Sequence, residues 1–446
     1  MRKKSLLALT LATAMTAAAL SGCGEKKEEN TTAAPAATEE NSEATPDATS
    51  DATQDTASAD AAAFDGKQVK VWVADNVVDF TNSQIAAFQE AYPQYKGVNF
   101  TVEAVGEGDA ATNVITDVEA AADVYGFAQD QLTRLVTAGA LEEVNPDYAD
   151  QVKSANDEGS VQAATVGGTM YAYPLTSDNG YFLYYDKSVV KDPSTLESIV
   201  KDCEAAGKNF YFEINSGWYQ TAFFFGTGCQ LTYETDKDGK FTKCNIDYNS
   251  DKGVVAVKEM IELKSSSAFQ NGSSFSNAVN VGAIVDGTWD AAQAQEVLGD
   301  NYACAKLPKF TGSDGNEYQL SGFSGYKLLG VKPQADEDKL QICDDFALFL
   351  SGEESQLARF NAVAWGPSNK NAQANEAVAS NEALKALNEQ MLVDIPQGQY
   401  PGDYWSLATG LGDSIISGDL NASTSDADIL KALENFQDTC ISYTAQ

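Results

Sequence analysis

The amino-acid sequence predicts an α/β fold with two domains, in which a parallel sheet carries helices on both faces. The first observation is length, because 446 residues are enough for two or three domains. The second is alternation: from about Gln68 onward, short β-rich runs alternate with amphipathic helical segments. The third is their order, since a strand–helix–strand–helix–strand series is typical of parallel strands joined by crossover helices.

The first half of the globular region supplies that series. We expect strands at residues 69–73, 98–102 and 123–127, where β-branched and aromatic residues dominate. Helices are expected at residues 83–92, which end at a proline, and 111–121.

The second half continues in the same style. Ser194 and Glu197 have capping-box spacing before an apolar helical stripe, and Gly207 is placed to end that helix. Asp238-Gly239 predicts a hairpin turn between residues 231–233 and 241–242. Later helices are expected at residues 339–350 and 426–440.

The N-terminal residues predict export. Three basic residues precede the apolar stretch 6–20, which is too short to span a bilayer comfortably. This stretch ends in Leu20-Ser21-Gly22-Cys23, which resembles a bacterial lipobox with Cys23 as the lipid attachment site; an ordinary secretory peptide is the alternative. Residues 24–63 lack aromatic residues, Leu, Ile, Val and Met, so they predict a solvated acidic tether. We therefore expect a signal peptide at residues 1–22 and a lipid-anchored disordered linker at residues 23–64.

Composition excludes several classes of function. The chain has 29 Lys and Arg against 65 Asp and Glu, a net charge of −36, which disfavours nucleic-acid partners and a polybasic membrane patch. It has no histidine, which excludes Ser-His-Asp and Cys-His catalysis and His-ligated zinc. No C-x-x-C occurs, so a thiolate metal site is disfavoured, and we expect no cofactor.

Six cysteines besides Cys23 leave the disulfide state open. Cys203 and Cys343 lie on apolar helical stripes and are expected to be packed thiols. Cys229 and Cys244 flank the predicted hairpin, a position that suggests a disulfide bond. With a turn at Asp238-Gly239, however, Tyr233 and not Cys229 lies opposite Cys244. The sequence does not fix the pairing.

Seven segments occur in an informative order between residues 67 and 440. They lie at residues 71–76, 123–130, 141–144, 168–175, 184–187, 284–289 and 307–310. Together they resemble the extracellular solute-binding proteins of carbohydrate ABC importers, of the maltose/maltodextrin-binding type. The resemblance implies two α/β lobes joined by crossovers, with a ligand cleft between them. It implies an N-terminal lobe at residues 66–177 and 307–352, and a C-terminal lobe at 178–306 and 353–446.

The resemblance also implies a sugar site built from aromatic rings and acids. Aromatic rings cover the C–H faces of a pyranose, and carboxylates and amides bind its hydroxyls. The candidate aromatic residues are Trp289, Trp218, Trp405, Phe127, Tyr173 and Tyr400. The candidate polar residues are Asp130, Asp178 or Asn179, Asp75 or Asn76, Glu107 and Asp109.

This sequence departs from the family pattern at three of these places. Ser216 stands where a glutamate is expected near Trp218, Gln131 replaces the arginine beside Asp130, and Thr409 replaces an arginine after Trp405. Of the two remaining tryptophans, Trp72 lies mid-strand and is expected in the core, whereas the sequence does not decide the place of Trp365.

The expected function is therefore binding. The resemblance implies a monomeric, lipid-anchored subunit on the extracellular face of the bacterial membrane, which passes oligosaccharides to an ABC permease. Only three arginines occur, one of them in the signal, and this favours a neutral ligand, with malto-oligosaccharides as the best match. A secreted glycoside hydrolase with two carboxylates, or a surface glycan sensor without a transporter, are the alternatives.

Overall fold

Two five-stranded sheets organise residues 63–236 and 239–445, the part of the chain that the structure, a computed structural model, describes. These residues belong to one compact unit. The predicted signal peptide, Cys23, nearly all of the acidic linker and Asp238 of the predicted turn lie outside the described residues.

The strands and helices alternate along most of the chain. The strands are β1 (Gln68–Val73), β2 (Asn99–Ala104), β3 (Val124–Ala128), β4 (Thr165–Val166), β5 (Thr169–Met170), β6 (Tyr173–Thr176), β7 (Phe182–Asp186), β8 (Asn209–Tyr211), β9 (Leu231–Thr235), β10 (Phe241–Ile246), β11 (Phe269–Gln270), β12 (Val281–Asp286), β13 (Tyr302–Ala305), β14 (Lys309–Thr311), β15 (Glu317–Gln319), β16 (Phe323–Ser324), β17 (Lys327–Val331) and β18 (Ile395–Pro396). The α-helices are α1 (Val78–Ala91), α2 (Ala110–Thr116), α3 (Leu132–Thr137), α4 (Pro146–Ala155), α5 (Glu158–Ala163), α6 (Leu196–Ala206), α7 (Thr221–Gly226), α8 (Asp251–Ser265), α9 (Ala291–Leu298), α10 (Glu337–Ser351), α11 (Glu353–Val363), α12 (Lys370–Gln373), α13 (Glu376–Ser380), α14 (Glu382–Met391), α15 (Gly402–Ser417) and α16 (Asp426–Ser442).

Each large sheet combines parallel and antiparallel strands. The first has the order β2-β1-β3-β17-β6, with β1 parallel to β2 and β3, and β17 antiparallel to both of its neighbours. The second has the order β11-β8-β12-β7-β13, with β8 parallel to β11 and β12. Because β17 follows the whole second sheet in sequence yet lies inside the first, the chain crosses between the sheets and returns. This is the two-lobed α/β architecture that the family resemblance implies.

The second sheet is covered on both faces. Leu183 and Val285 belong to one buried cluster, which packs on α6, α8, α15 and α16. Their strand neighbours Tyr184 and Ile284 belong to another, which packs on α9 and α14. Successive side chains of a strand point to opposite faces, so this alternation buries both sides of the sheet. A third buried cluster surrounds the first sheet.

Most predicted elements are confirmed, with shifted ends. The helix predicted at 83–92 begins earlier, at Val78, and the helix predicted at 111–121 ends earlier, at Thr116. The capping box is wrong: Thr195 caps α6 by accepting a hydrogen bond from the Ser198 backbone N–H, while Glu197 accepts from the Thr311 N–H. Gly207 ends this helix with φ of 62°, a left-handed conformation that glycine adopts readily.

The predicted hairpin is present as β9 and β10, and its register places Cys244 opposite Tyr233. The six cysteines of the described residues are free thiols. Among these residues, no helix has the length and apolar character needed to cross a bilayer.

Candidate functional site

A cavity of about 700 Å³ lies where the two sheets face each other. Four indoles contribute to its wall, those of Trp218, Trp289, Trp365 and Trp405. The carboxylates among its lining residues are Asp75, Glu107, Asp130 and Asp290, and the single basic residue is Lys327. The wall therefore offers flat apolar faces interrupted by hydrogen-bonding groups.

Strand ends position most of this wall. Asp75 and Asn76 follow β1, Glu107 follows β2, Asp130 follows β3, Asn179 follows β6, and Trp289 follows β12. Ligands of open α/β sheets bind beyond the carboxyl ends of the strands, and here both sheets present such ends to one cavity. The Asn76 side-chain amide donates to the Trp289 carbonyl at 3.4 Å, which links the first sheet to the second.

The three tryptophans predicted to stack on a ligand are half-buried and share the cavity. The ring centroids of Trp218 and Trp289 lie 5.9 Å apart with planes inclined by 45°. The Trp218 indole N–H donates to the Gln397 side-chain oxygen at 3.1 Å, which fixes its orientation. Trp405 lies in the first turn of α15 and packs on Tyr400 and Tyr404.

The Trp289 ring packs against the residues that follow β12. Its six-membered ring lies over Gly287, where an added Cβ would come within 2.1 Å of the ring carbons. Asp286 is fully buried and accepts a hydrogen bond from the Gly287 N–H at 2.7 Å. Burial, reinforced by the negative charge of Asp290, raises the pKa of Asp286 well above its usual range.

Asp130 is the carboxyl with the most perturbed ionisation among the cavity residues predicted from sequence. Its exposed fraction is 3%, and burial raises its pKa to about 7. Backbone hydrogen bonding, the positive charge of Arg134 and a hydrogen bond from Trp405 oppose this shift. A half-ionised carboxyl beside an indole suits a hydroxyl donor, because the ionised form makes a charge-assisted hydrogen bond.

Five predicted site residues do not line the cavity. Phe127, Tyr173 and Tyr400 are packed in the cores, and the two tyrosine hydroxyls donate to the Asp344 side chain and the Leu231 carbonyl. Asp109 is exposed at the start of α2. Asp178 is the fifth. The expectation that these residues line the cavity differs from the structure, and the two tyrosine hydroxyls already have partners inside the protein.

Asp178 lies outside the cavity lining and positions two loops that contribute to the wall. This buried side chain accepts hydrogen bonds from the Thr288 hydroxyl at 2.6 Å and from the Gly366 N–H at 2.5 Å. Thr288 precedes Trp289 and Gly366 follows Trp365, so one carboxyl fixes the loops of two cavity indoles. Of the alternative pair Asp178 and Asn179, only Asn179 lines the cavity, whereas Asp75 and Asn76 both do.

Sequence reasoning missed Lys327 and left Trp365 undecided. Lys327 is the first residue of β17. Because β17 runs antiparallel to β3, its first residue lies at the edge of the sheet where the parallel strands end. Trp365 follows α11 with an exposed fraction of 2% and forms a wall of the cavity. Trp72 lies away from the cavity, and its indole N–H donates to Glu103 at 2.7 Å.

The arrangement suits binding of a neutral polyhydroxylated ligand. Neither described arginine lines the cavity: Arg359 is buried and donates to the Leu175 and Leu350 carbonyls, and Arg134 lies outside the wall. A guanidinium fork for an anionic ligand is thus absent from the described wall. The described residues also contain no cluster of acids and thiols suited to a metal ion.

Comparisons with known proteins point to the same class. Residues 83–386 match the sequence profile of a family described as bacterial extracellular solute-binding protein. The galactooligosaccharide-binding protein of Bacillus subtilis (strain 168) is 24% identical over 315 residues, 66% of this chain and 72% of that protein.

Solved structures share the fold. The structure of the maltodextrin-binding protein of L. casei BL23 without ligand is 26% identical, with a TM-score of 0.68 over 84% of this chain and 98% of that one. A structure determined with acarbose is 28% identical, with a TM-score of 0.71 over 84% and 99%.

Proposed function

The chain belongs to the bacterial extracellular solute-binding proteins, and we propose that it captures neutral oligosaccharides for the permease of an ABC importer. Members of this family bind solutes and are not enzymes. The proposal concerns the ligand, the residues that hold it and the membrane partner.

The observation that carries the proposal is that indoles on the side of the second sheet and acids that follow strands of the first sheet meet around one cavity. Trp289 packs against the buried clusters of both sheets. Trp218 and Trp405 belong to the side of the second sheet, whereas Asp75, Glu107 and Asp130 follow strands of the first. A glycan that lies on the indoles and donates its hydroxyls to these acids contacts both lobes. Such a ligand favours the closed state, because it gains contacts there that an open state lacks.

The ligand class follows from the wall chemistry. Flat indole faces complement the C–H faces of pyranose rings, and carboxylates accept from sugar hydroxyls. The acids on the wall, and the absence of arginine from the described cavity lining, disfavour phosphorylated or acidic sugars. Malto-oligosaccharides are the specific ligands we propose, in keeping with the family resemblance and with the similarity to a maltodextrin-binding protein.

The N-terminal residues supply the cellular context of the proposal. Lipid attached to Cys23 holds the protein at the extracellular face of the membrane, and the acidic segment after it is a tether. The binding domain then works as a monomer that presents its closed, loaded form to the permease.

Titration calorimetry with maltotriose tests the ligand directly. We expect micromolar or tighter binding, and Trp289→Ala should weaken it about tenfold, since a lost stacking platform costs about 1–2 kcal/mol. A flat trace with maltotriose, when other neutral oligosaccharides bind, would remove the malto-oligosaccharide assignment. Absence of binding to every neutral oligosaccharide tested would contradict the proposed function, and so would reproducible shortening of the sugar during long incubation.

A further inference from the structure

Lys327 is a buried cation on the cavity wall. It is the first residue of β17, paired in the sheet with Ala128 of β3 on one side and Thr176 of β6 on the other. Both neighbours fix its backbone, and its exposed fraction is 5%. Lys327 lines the cavity, and its ammonium lies near the rings of Trp365 and Trp289, which line the same cavity.

This ammonium lacks an acceptor in the protein. Among the described residues, no carboxylate lies within ion-pair distance of its Nζ and no oxygen accepts a hydrogen bond from it. Instead, Nζ lies 3.6 Å from the ring centroid of Trp365 and 5.3 Å from that of Trp289. Indole faces attract a cation but do not replace oxygen acceptors, so the N–H donors of Lys327 remain available to a hydroxyl or ether oxygen in the cavity.

A second lysine shows how this protein treats a buried ammonium that has a structural role. Lys332 lies just beyond the other end of β17, with an exposed fraction of 8%. Its Nζ donates to the Glu119 and Ala121 carbonyls at 3.2 and 3.0 Å and lies 3.6 Å from Asp123. Lys327 has no such protein oxygens around its Nζ, so its N–H donors are available to a ligand that enters the cavity.

We propose that Lys327 is a specificity-determining residue that donates a hydrogen bond to one oxygen of the glycan, next to the ring stacked on Trp289. This inference rests on the proposed function. An ammonium has three donors and no acceptor, so it selects a hydroxyl or ether oxygen that is free to accept. Lys327 also joins the lobes through the ligand, because it belongs to the first sheet and Trp289 follows a strand of the second.

The selectivity depends on the state of the Lys327 ammonium when a bound sugar lacks the oxygen that this ammonium would contact. A site built to hydrogen-bond a sugar oxygen rejects an analogue without it, since the buried donor then stays unpaired in the complex. The glycan oxygen that Lys327 contacts should therefore be one whose removal weakens binding strongly in the wild-type protein and hardly at all in a variant without the ammonium.

Lys327→Met tests this role, with Lys332→Met as the matched control. Methionine keeps a long apolar stem against the indoles and removes the donors. We expect Lys327→Met to weaken maltotriose binding at least about tenfold in calorimetry, with an unfolding temperature no lower than that of the wild type. Lys332→Met should lower the unfolding temperature and leave the affinity of the folded protein unchanged.

A panel of monodeoxy maltotrioses identifies the oxygen. Double-mutant cycles between Lys327→Met and each deoxy sugar should show coupling at one position and additivity at the others. Wild-type affinity of Lys327→Met, or additivity at every position, would overturn the role of Lys327 and leave the proposed function standing. Failure of the wild-type protein to bind any neutral oligosaccharide would overturn both.

Discussion

The two ends of the β3–β17 strand pair bury polar groups in opposite ways. At the end away from the cavity, Asp123 accepts from the Lys70 N–H, the Gln334 amide and Lys339 at 2.9, 3.1 and 2.9 Å, and lies 3.6 Å from Lys332. At the cavity end, Lys327 has no acceptor among the described residues. Burial there also raises the pKa of Asp130 to about 7.

This difference separates stability from binding. A buried charge with a full set of partners holds the sheet edge together, and its loss leaves other charges unpaired. Buried polar groups that the protein does not satisfy are costly to folding and are suited to bind a ligand. Variants at the first end should therefore change stability, and variants at the second should change affinity.

Asp123→Ala should have the largest effect of the variants at either end. It leaves the ammonium groups of Lys332 and Lys339 without their carboxylate, so we expect the free energy of unfolding to fall by about 3–5 kcal/mol. Denaturant unfolding measures this, with Asp150→Ala on the exposed face of α4 as control. If Asp123→Ala instead lowered the sugar affinity of the folded fraction and changed stability little, this end of the strand pair would serve binding, contrary to our account.

Gly287→Ala, in the second sheet's part of the cavity wall, should change affinity rather than stability. The backbone here has an ordinary φ of −105°, so the restriction is steric: the new Cβ would meet the Trp289 ring at 2.1 Å and push the indole off its position. We expect a loss of affinity about equal to that of Trp289→Ala, roughly tenfold, with a small change in unfolding temperature. Gly410→Ala is the control, because no atom lies within 4 Å of its added Cβ. Full affinity in Gly287→Ala would mean that Trp289 has no fixed role.

The pH dependence of binding should be the mildest effect near neutral pH. If the ionised Asp130 accepts from a sugar hydroxyl, affinity is full above its pKa of about 7 and falls as pH drops through that value, by about tenfold or less in total, because the neutral carboxyl still accepts a weaker hydrogen bond. Calorimetry between pH 5.5 and 8.5 checks this, and Asp130→Asn should flatten the profile. A wild-type profile as flat as that of the variant would contradict the role.

The raised pKa of Asp130 changes the stability of the folded protein with pH in the direction opposite to its effect on binding. Because the folded state raises the pKa of Asp130 above the unfolded value, its contribution to stability is full below pH 4 and is lost as pH rises through about 7. Stability and affinity should therefore respond to pH in opposite directions at this residue.

Local patterns predicted most of the fold. The order of strands and helices, the hairpin with its Tyr233–Cys244 register and the helix end at Gly207 all depend on residues close in sequence. The helix cap was wrong by one residue, because Thr195 offers the same hydroxyl chemistry as Ser194.

The cavity wall was harder to predict where it depends on distant pairing. The three tryptophans follow or begin elements, which local sequence reveals. Lys327 reaches the wall because an antiparallel strand returns to the first sheet after residues 182–305 have built the second, and no local pattern encodes that. Tyr173 and Tyr400 look like sugar-binding aromatics, yet their hydroxyls find partners inside the cores.

A crystal structure of the protein with its tightest neutral oligosaccharide tests the central claim most directly. We predict sugar rings against Trp218, Trp289 and Trp405, hydroxyls on Asp130 and neighbouring acids, and one sugar oxygen on the Lys327 ammonium. A glycan bound elsewhere on the molecule, or one that leaves these indoles and Lys327 untouched, would contradict the account.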